Sequence, residues 1–156
     1  MKVTSGSTGE PKGLAFTDAQ MIADGLAVCR GMGIEASDSH LAAIPFGHSY
    51  GLGNLVLPLL LLGTPLVMVG SGLPQVIAEA VRLGQPTIFP AVPILLRGLV
   101  ESGLGAEALA GVRLVVSAGA ILKPELAQTF GEKFGTVVHN FYAVSYTHLT
   151  LPTILL

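Results

Sequence analysis

Residues 65–102 read PLVMVGSGLPQVIAEAVRLGQPTIFPAVPILLRGLVES, and this stretch alternates between short, continuously apolar runs and longer amphipathic ones. The successive runs are residues 65–69, 73–83, 87–89 and 92–102. The short runs have the length of buried strands, and the longer ones have the length and periodicity of helices. Pro74 is favourable in a first helical turn, and Gly84 is favourable at a helix end. The stretch therefore predicts two strands, each followed by a helix.

The same alternation extends toward both ends of the chain. In chain order, the further predictions are a helix beginning after Thr17, a strand at residues 40–45, a helix at 50–62, a strand at 113–116, a helix at 124–134 and a strand at 137–141. Continuous apolar strands separated by helices are typical of a mostly parallel sheet that is covered on both faces. We therefore predict an α/β fold of alternating helices and mostly parallel strands.

The composition is unusually apolar for a chain that has the length of one domain. Hydrophobic residues make up 51% of the sequence and charged residues only 12%, whereas soluble domains carry about 25% charged residues. We expect part of this surface to be covered by segments outside the chain. The net charge of -2 provides no basic footprint, which argues against a nucleic-acid partner.

Three features bear on the cellular compartment. The most apolar run, residues 55–69, is interrupted by Pro58, Gly63 and Pro65, and it is shorter than the ~20 residues that a spanning helix needs. Cys29 is the single cysteine and has no internal disulfide partner. Because it lies on an apolar face of the helix predicted after Thr17, we expect it in the core. No signal peptide is visible at the start. These features predict a cytoplasmic protein without a transmembrane segment.

The strongest chemical signal is the string TSGSTGEPKG at residues 4–13. Its glycines allow a close backbone approach to a ligand, its hydroxyl groups donate hydrogen bonds, and Lys12 supplies a positive charge. Together these features predict a phosphate-binding loop, although the composition alone is equally typical of a polar terminal tail. The string is not a Walker A motif, because Pro11 precedes the lysine and Gly13 follows it.

The order of residues in this loop resembles the phosphate loop of the adenylate-forming (AMP-binding) superfamily, which includes acyl-CoA synthetases, nonribosomal adenylation domains and luciferases. Three further strings resemble that family in the same order: PFGHSYG at residues 45–51, SAGA at 117–120 and NFY at 140–142. The resemblance covers residues 4–142. It implies that the chain is an internal fragment of the large amino-terminal domain of such an enzyme.

The resemblance assigns roles to individual residues. The residues expected to bind the ATP phosphates are Thr4, Ser5, Gly6, Ser7, Thr8, Gly9, Lys12 and Gly13. His48 is expected beside the reacting carboxylate, and His48 and Lys12 are the catalytic candidates. The residues expected to frame the adenine are Gly119, Ala120, Asn140 and Tyr142. No metal ligand is predicted in the chain itself, but Thr8 is positioned to meet the Mg²⁺ that accompanies ATP.

The implied activity is that of an AMP-forming acid–thiol ligase. A carboxylic acid is activated by ATP as an acyl-adenylate and is then passed to a thiol. Coenzyme A is the expected co-substrate on the family's base rate, with a carrier-protein thiol as the alternative acceptor. Fatty-acid metabolism is the expected setting.

The family pattern stops after Tyr142, where family members continue Gly-x-Ser/Thr-Glu. Here the chain reads AVSYTHLTLPT at residues 143–153, which resembles the translation of a sequencing-library adapter. We therefore predict that residues 1–142 are an internal fragment of the AMP-binding large domain and that residues 143–156 are a non-native tail. Because a hinge and a small carboxyl-terminal domain are also expected in the parent enzyme, we expect the fragment alone to be inactive.

Two alternatives from other classes remain open. The string GHSYG at residues 47–51 fits the G-x-S-x-G nucleophile elbow of a serine hydrolase, with Ser49 as the nucleophile. The downstream acids and base that could complete a triad are Glu101, Glu107, Glu125, Glu132 and His139. The other alternative is a non-catalytic, poorly folding fragment, whose exposed apolar surface would cause aggregation.

The remaining polar residues have plainer interpretations. His40, His139 and His148 lack the spacing of metal ligands, since zinc usually needs three or four such side chains. The residues predicted to lie on solvated helix faces are Glu79, Arg82, Glu101 and Glu132.

Overall fold

The computed structural model describes residues 2–4 and 12–141, and the side chains of residues 15–141. The strands form two sheets. β1 (Lys2–Thr4) and β2 (Lys12–Leu14) form an antiparallel pair. The parallel sheet contains β3 (His40–Ala42), β4 (Leu66–Met68), β5 (Ile88–Ala91), β6 (Leu114–Ser117) and β7 (Val138–Asn140), in the order β4-β3-β5-β6-β7. The predicted α/β class with parallel strands is confirmed.

Helices provide the crossovers that parallel strands require. They are α1 (Asp18–Gly31), α2 (Ser49–Gly51), a π-helical turn (Leu52–Val56), α3 (Leu57–Leu62), α4 (Pro74–Gly84), α5 (Pro93–Glu101), a 3-10 turn (Ala106–Leu109) and α6 (Pro124–Phe134). The predicted helices are all present. The β1–β2 pair and the 3-10 turn were not predicted from the sequence.

Helix ends follow the sequence in one case and depart from it in another. Thr17 caps α1 through a reciprocal capping box with Gln20, as the predicted start requires. Gly84 is the last residue of α4, as predicted, but the left-handed position that follows is taken by Gln85, with φ of 46°. Gly84 instead makes room for β4, since a Cβ atom on it would lie 2.4 Å from Cγ1 of Val67.

The apolar helix predicted at residues 50–62 contains a π-helical turn in its middle. The amide of Leu57 donates to the carbonyl of Leu52, five residues earlier. Pro58 follows directly, and a proline has no amide hydrogen to donate to the preceding turn and its ring crowds that turn. The wider turn is a physical consequence of placing Pro58 inside a continuous helix.

The parallel sheet is covered on both faces, as predicted. Side chains of α4, α5 and α6 pack on one face against Phe89 and Val115, with Phe130 fully buried among them. The other face carries Ile88 and Val116, and Cys29 of α1 packs there. Cys29 is only 2% exposed, which confirms its core position, and burial raises the pKa of its thiol.

The exposed surface carries many large apolar side chains. The most exposed are Ile121, Leu60, Val137, Leu83, Ile94, Leu73 and Met68. Ile22 of α1 is also exposed, at 47%. No helix in the described part of the chain is long and apolar enough to cross a bilayer.

An ion pair with a buried carboxylate ties together the amino ends of three parallel strands. Asp38 is 4% exposed, and its carboxylate accepts hydrogen bonds from Nε of Arg113 at 2.8 Å, from the hydroxyl of Thr87 at 2.7 Å and from the amide of Glu35 at 2.9 Å. Arg113 also donates to the carbonyl of Gly33 at 2.7 Å. The hydrogen bond from Arg113 is the main reason that the pKa of Asp38 lies well below its usual range.

His40 begins β3 and is fully buried, and neither of its ring nitrogens has a hydrogen-bond partner within the described residues. Burial lowers its pKa from 6.5 to about 4. Because the folded state resists protonation, stability is lost as the pH falls from 6.5 toward 4, and the loss by about pH 5 is roughly 2 kcal/mol.

We therefore expect His40→Leu to flatten the dependence of the free energy of unfolding on pH between about pH 7 and pH 5. Urea unfolding at several pH values measures this slope. His139→Gln, which changes an exposed histidine of β7, is the matched control. A wild-type slope in the His40→Leu variant would contradict the prediction.

Candidate active site

The candidate site lies at the carboxyl edge of the parallel sheet. The chain leaves β3, adds β4 on one side of it, and returns to place β5 on the other side. In open α/β sheets, such a switch in strand order opens a crevice outside the carboxyl ends of the strands, and ligands bind there. The segments that follow β3, β5, β6 and β7 all reach this edge.

His48 lies in the segment that follows β3 and precedes α2. Its Nδ1 accepts a hydrogen bond from the amide of Tyr50 at 3.2 Å and thereby caps the helix. A neutral imidazole whose Nδ1 accepts carries its proton on Nε2. The exposed ring therefore offers an N–H donor at the crevice, which suits a carboxylate or acyl oxygen.

The same segment folds tightly onto the helix that follows it. The amide of His48 donates to the carbonyl of Pro45 at 3.3 Å. Gly51 packs against that carbonyl so closely that a Cβ atom on it would lie 2.0 Å from the Pro45 oxygen. Because residue 51 has no side chain, the Pro45 carbonyl can lie against it, and the hydrogen bond from the His48 amide to that carbonyl then fixes the backbone of His48.

Tyr50 links this segment to the strands on the other side of the switch point. It is 4% exposed, and its hydroxyl donates to the carbonyl of Val116 at 2.9 Å. Its ring stacks on Phe141, with 6.3 Å between centroids and 23° between planes. Burial raises the pKa of its phenol. No role was predicted for Tyr50 from the sequence, although it lies inside the motif at residues 45–51. Its contacts join residues that are far apart in the chain and leave no local signal.

Three of the predicted adenine-binding residues meet at the ends of β6 and β7. Gly119 adopts φ of 82°, a conformation that favours glycine, and a Cβ atom there would lie 3.4 Å from Cγ1 of Val92. Ala120 and Asn140 are both exposed at the same edge. The amide of Phe141 donates to the carbonyl of Ser117 at 2.8 Å, which holds the end of β7 beside β6. Tyr142 lies outside the described residues.

The predicted phosphate loop is described only at its two ends. Thr4 ends β1 and Lys12 begins β2, and the two residues are paired in the antiparallel register. Gly13 pairs with Val3 in the same ladder. Ser5, Gly6, Ser7, Thr8 and Gly9 lie outside the described residues. The hairpin therefore brings Lys12 across from Thr4.

The family described as AMP-binding enzyme matches residues 2–151 of this chain. The chain belongs to the AMP-binding enzyme family. The match extends nine residues past Tyr142, and the predicted boundary between a native fragment and a non-native tail at that point stays a prediction.

The similar curated proteins in this family are ligases. Benzoate--CoA ligase of Thauera aromatica is 31% identical over 135 residues, which cover 85% of this chain and 26% of that protein. Sulfoacetate--CoA ligase of Cupriavidus necator is 33% identical over 133 residues, with 85% and 26% covered. The chain thus spans about a quarter of the length of these relatives.

A solved structure of the family has the same fold. A malonyl-CoA ligase ternary product complex with methylmalonyl-CoA and AMP bound superposes with a TM-score of 0.82 at 26% identity, and 92% of this chain and 32% of that chain are covered. A benzoate CoA ligase from Burkholderia xenovorans LB400 gives a TM-score of 0.73 at 28% identity, with 83% and 27% covered.

The hydrolase alternative gains no support from the described geometry. Ser49 is the first residue of α2, and within residues 15–141 no hydrogen bond joins its hydroxyl to an imidazole. Glu107 accepts from the amide of Gly105 at 3.1 Å, and Glu132 accepts from Gln128 at 2.9 Å. The candidate acids are therefore engaged locally or exposed, and none reaches His139.

Within the described residues, no group of three or more histidine, cysteine, aspartate or glutamate side chains is placed so that it could hold a metal ion. Mg²⁺ often binds through substrate phosphates with one or two carboxylates, and the predicted contact, Thr8, lies outside the described residues. Any Mg²⁺ at this site would therefore be held mainly by the phosphates of the nucleotide.

Proposed function

We propose that this chain is the nucleotide- and carboxylate-binding segment of an AMP-forming acyl-CoA ligase. The observation that supports this most is the arrangement at the carboxyl edge, in a chain that belongs to the AMP-binding family. There His48, with its exposed N–H donor, is joined through Tyr50 to the strand ends that carry Gly119 and Asn140.

The proposed reaction has two steps. An oxygen of the carboxylic acid attacks the α-phosphorus of ATP, the bond between the α- and β-phosphates breaks, and pyrophosphate leaves. A thiol sulfur then attacks the acyl carbonyl, and AMP leaves with the bonding electrons. Charge develops on the phosphate oxygens in the first step, so positioned donors and cations supply most of the catalysis.

Each motif has a role in this proposal. The loop residues Thr4, Ser5, Ser7, Thr8 and Lys12 hold the β- and γ-phosphates and release pyrophosphate, while Gly6, Gly9 and Gly13 allow the loop its shape. His48 donates Nε2–H to the carboxylate and orients it. Gly119, Ala120, Asn140 and Tyr142 frame the adenine. Mg²⁺ bound to ATP neutralises phosphate charge.

Coenzyme A is the proposed thiol substrate because the benzoate and sulfoacetate relatives are named as CoA ligases. A carrier-protein thiol is the alternative acceptor. Fatty-acid metabolism and a cytoplasmic location remain narrower predictions. We also propose that the isolated chain is inactive, because its relatives are about four times as long.

We expect Thr8→Ala and Lys12→Ala, made in the complete enzyme that contains this segment, each to lower the rate of adenylation by about 10²–10³-fold, the usual cost of losing one transition-state donor. Carboxylate-dependent exchange of pyrophosphate into ATP measures this step. Arg82→Ala removes an exposed cation that pairs with Glu79 on α4, and it is the control. Near-normal exchange in both loop variants would overturn the phosphate-loop assignment.

A further inference from the structure

Ser117 is a buried polar residue at the carboxyl end of β6. It is 0% exposed, and its Oγ has no hydrogen-bond partner within the described residues. A hydroxyl removed from water without a partner destabilises the folded state. Such groups are uncommon in native proteins, and each one requires an explanation.

The sheet register shows which polar side chain lies beside Ser117. Ser117 pairs with Ala91 of β5 on one side and with Asn140 of β7 on the other. Residues paired in register in a parallel sheet project to the same face, and neighbouring strands are about 4.8 Å apart. Ala91 offers only a methyl group, so Asn140 is the neighbour in register that carries a polar side chain.

Asn140 is exposed, and no described residue forms a hydrogen bond with its carboxamide. In the nucleotide-free chain, water can satisfy this amide. A base that packs over the end of β7 would displace that water from the carboxamide. A carboxamide has two N–H donors and two lone pairs on its oxygen, and the edge of a base meets at most one N–H and one lone pair. The N–H or lone pair that the base leaves unused then needs a protein partner.

We propose that Ser117 is a positioning residue for the nucleotide base, and that its hydroxyl forms a hydrogen bond with the Asn140 carboxamide when a purine base covers it. This inference rests on the proposed function, since it assumes that Asn140 meets the base. The hydroxyl is then unpartnered only in the free protein, and the partner arrives with the ligand. Ser117 does not touch the base itself.

Replacing a purely structural residue would change thermal stability and the KM for ATP together, whereas replacing Ser117 should change the KM for ATP alone. Ser117→Ala removes an unpartnered buried hydroxyl, so the midpoint of thermal unfolding without nucleotide should stay the same or rise. The KM for ATP should nevertheless rise about fivefold, which is the size of one neutral hydrogen bond. The kcat should change little, because the base is remote from the reacting phosphorus.

The test is a double-mutant cycle with Ser117→Ala and Asn140→Ala in the complete enzyme, with ATP as the varied substrate of the exchange assay. We expect each single variant to raise the KM for ATP, and Ser117→Ala to have no further effect once Asn140 is alanine. An unchanged KM in Ser117→Ala beside a raised KM in Asn140→Ala would overturn the role of Ser117 alone. An unchanged KM in both variants would overturn the assignment of Asn140 to the base and this inference with it. A complete wild-type enzyme without ATP-dependent exchange would instead overturn the proposed function.

Discussion

Gly51→Ala is expected to destabilise the chain severely. Gly51 has φ of -65° and ψ of -39°. Alanine adopts this conformation readily, so the backbone conformation does not disfavour the substitution. The obstacle is the added methyl group, which would lie 2.0 Å from the oxygen and 2.8 Å from the carbonyl carbon of Pro45. Both are backbone atoms, so the whole segment must move. We expect a loss of more than about 3 kcal/mol in the free energy of unfolding, at the upper end of overpacking effects.

Gly53→Ala is the matched control for this change. Gly53 lies two residues further along the same helical stretch, and a Cβ atom on it would have no neighbour within 4 Å. Because alanine favours helices over glycine, we expect its free energy of unfolding to equal or slightly exceed that of wild type. Urea unfolding of the three proteins decides the matter. Equal midpoints for Gly51→Ala and Gly53→Ala would contradict the packing argument.

The same substitution carries a functional consequence. The segment that Gly51 supports carries His48, whose imidazole is exposed and caps α2. Moving the Pro45 carbonyl would therefore displace the proposed carboxylate donor. A variant that stays folded should lose affinity for the acid rather than for ATP.

Asp38→Ala is the second change with a large expected effect. It leaves the amide of Glu35 without its acceptor and removes the carboxylate partner of Arg113. The hydroxyl of Thr87 loses its shorter hydrogen bond and keeps only the carbonyl of Ser39 at 3.3 Å. Breaking a buried ion pair from one side typically costs about 3–5 kcal/mol. Arg113 is 44% exposed and can turn to water, so we expect about 3 kcal/mol. Chemical unfolding near neutral pH measures this loss.

Glu79→Ala is the comparison for Asp38→Ala. Glu79 pairs with Arg82 at 2.7 Å, but both side chains are more than half exposed. Exposed pairs add little to stability, so this variant should unfold close to wild type. A similar loss in the two variants would show that burial of Asp38 does not matter.

The pH dependence of the Asp38 effect has a definite sign. Its pKa is lower in the folded state than the ordinary 3.8, so its stabilisation is present above that pH and is lost as the pH falls below it. The gap between wild type and Asp38→Ala should therefore narrow below about pH 4. The His40 effect operates in a higher window, from 6.5 to about 4, and the charge of Asp38 itself raises the pKa of His40.

The local elements of the fold could be predicted because their signals are local. The helix at residues 124–134 begins at a proline and ends before Gly135, and the structure has the same bounds. The strand order could not be predicted, since the position of β5 beside β3 depends on contacts across many residues. The π-helical turn and the left-handed conformation of Gln85 were not predicted either, because hydrophobic periodicity does not indicate which backbone hydrogen bonds a helix lacks.

The candidate site was predicted from motif order rather than from periodicity. His48, Gly119, Ala120 and Asn140 are distant in sequence, and the parallel sheet brings them to one edge. What the motifs did not reveal is how these residues are held. The hydroxyl of Tyr50 reaches a carbonyl 66 residues away, and the unpartnered state of Ser117 is visible only once its neighbours are placed.

The most direct test of the central claim is exchange of labelled pyrophosphate into ATP by the complete enzyme that contains this segment. Benzoate, sulfoacetate and a long-chain fatty acid should be supplied in turn, because similar proteins are named for these acids. The account predicts that label enters ATP only when a suitable carboxylic acid is present. A folded enzyme that shows no acid-dependent exchange, but is labelled at Ser49 by a fluorophosphonate, would contradict it and favour the hydrolase.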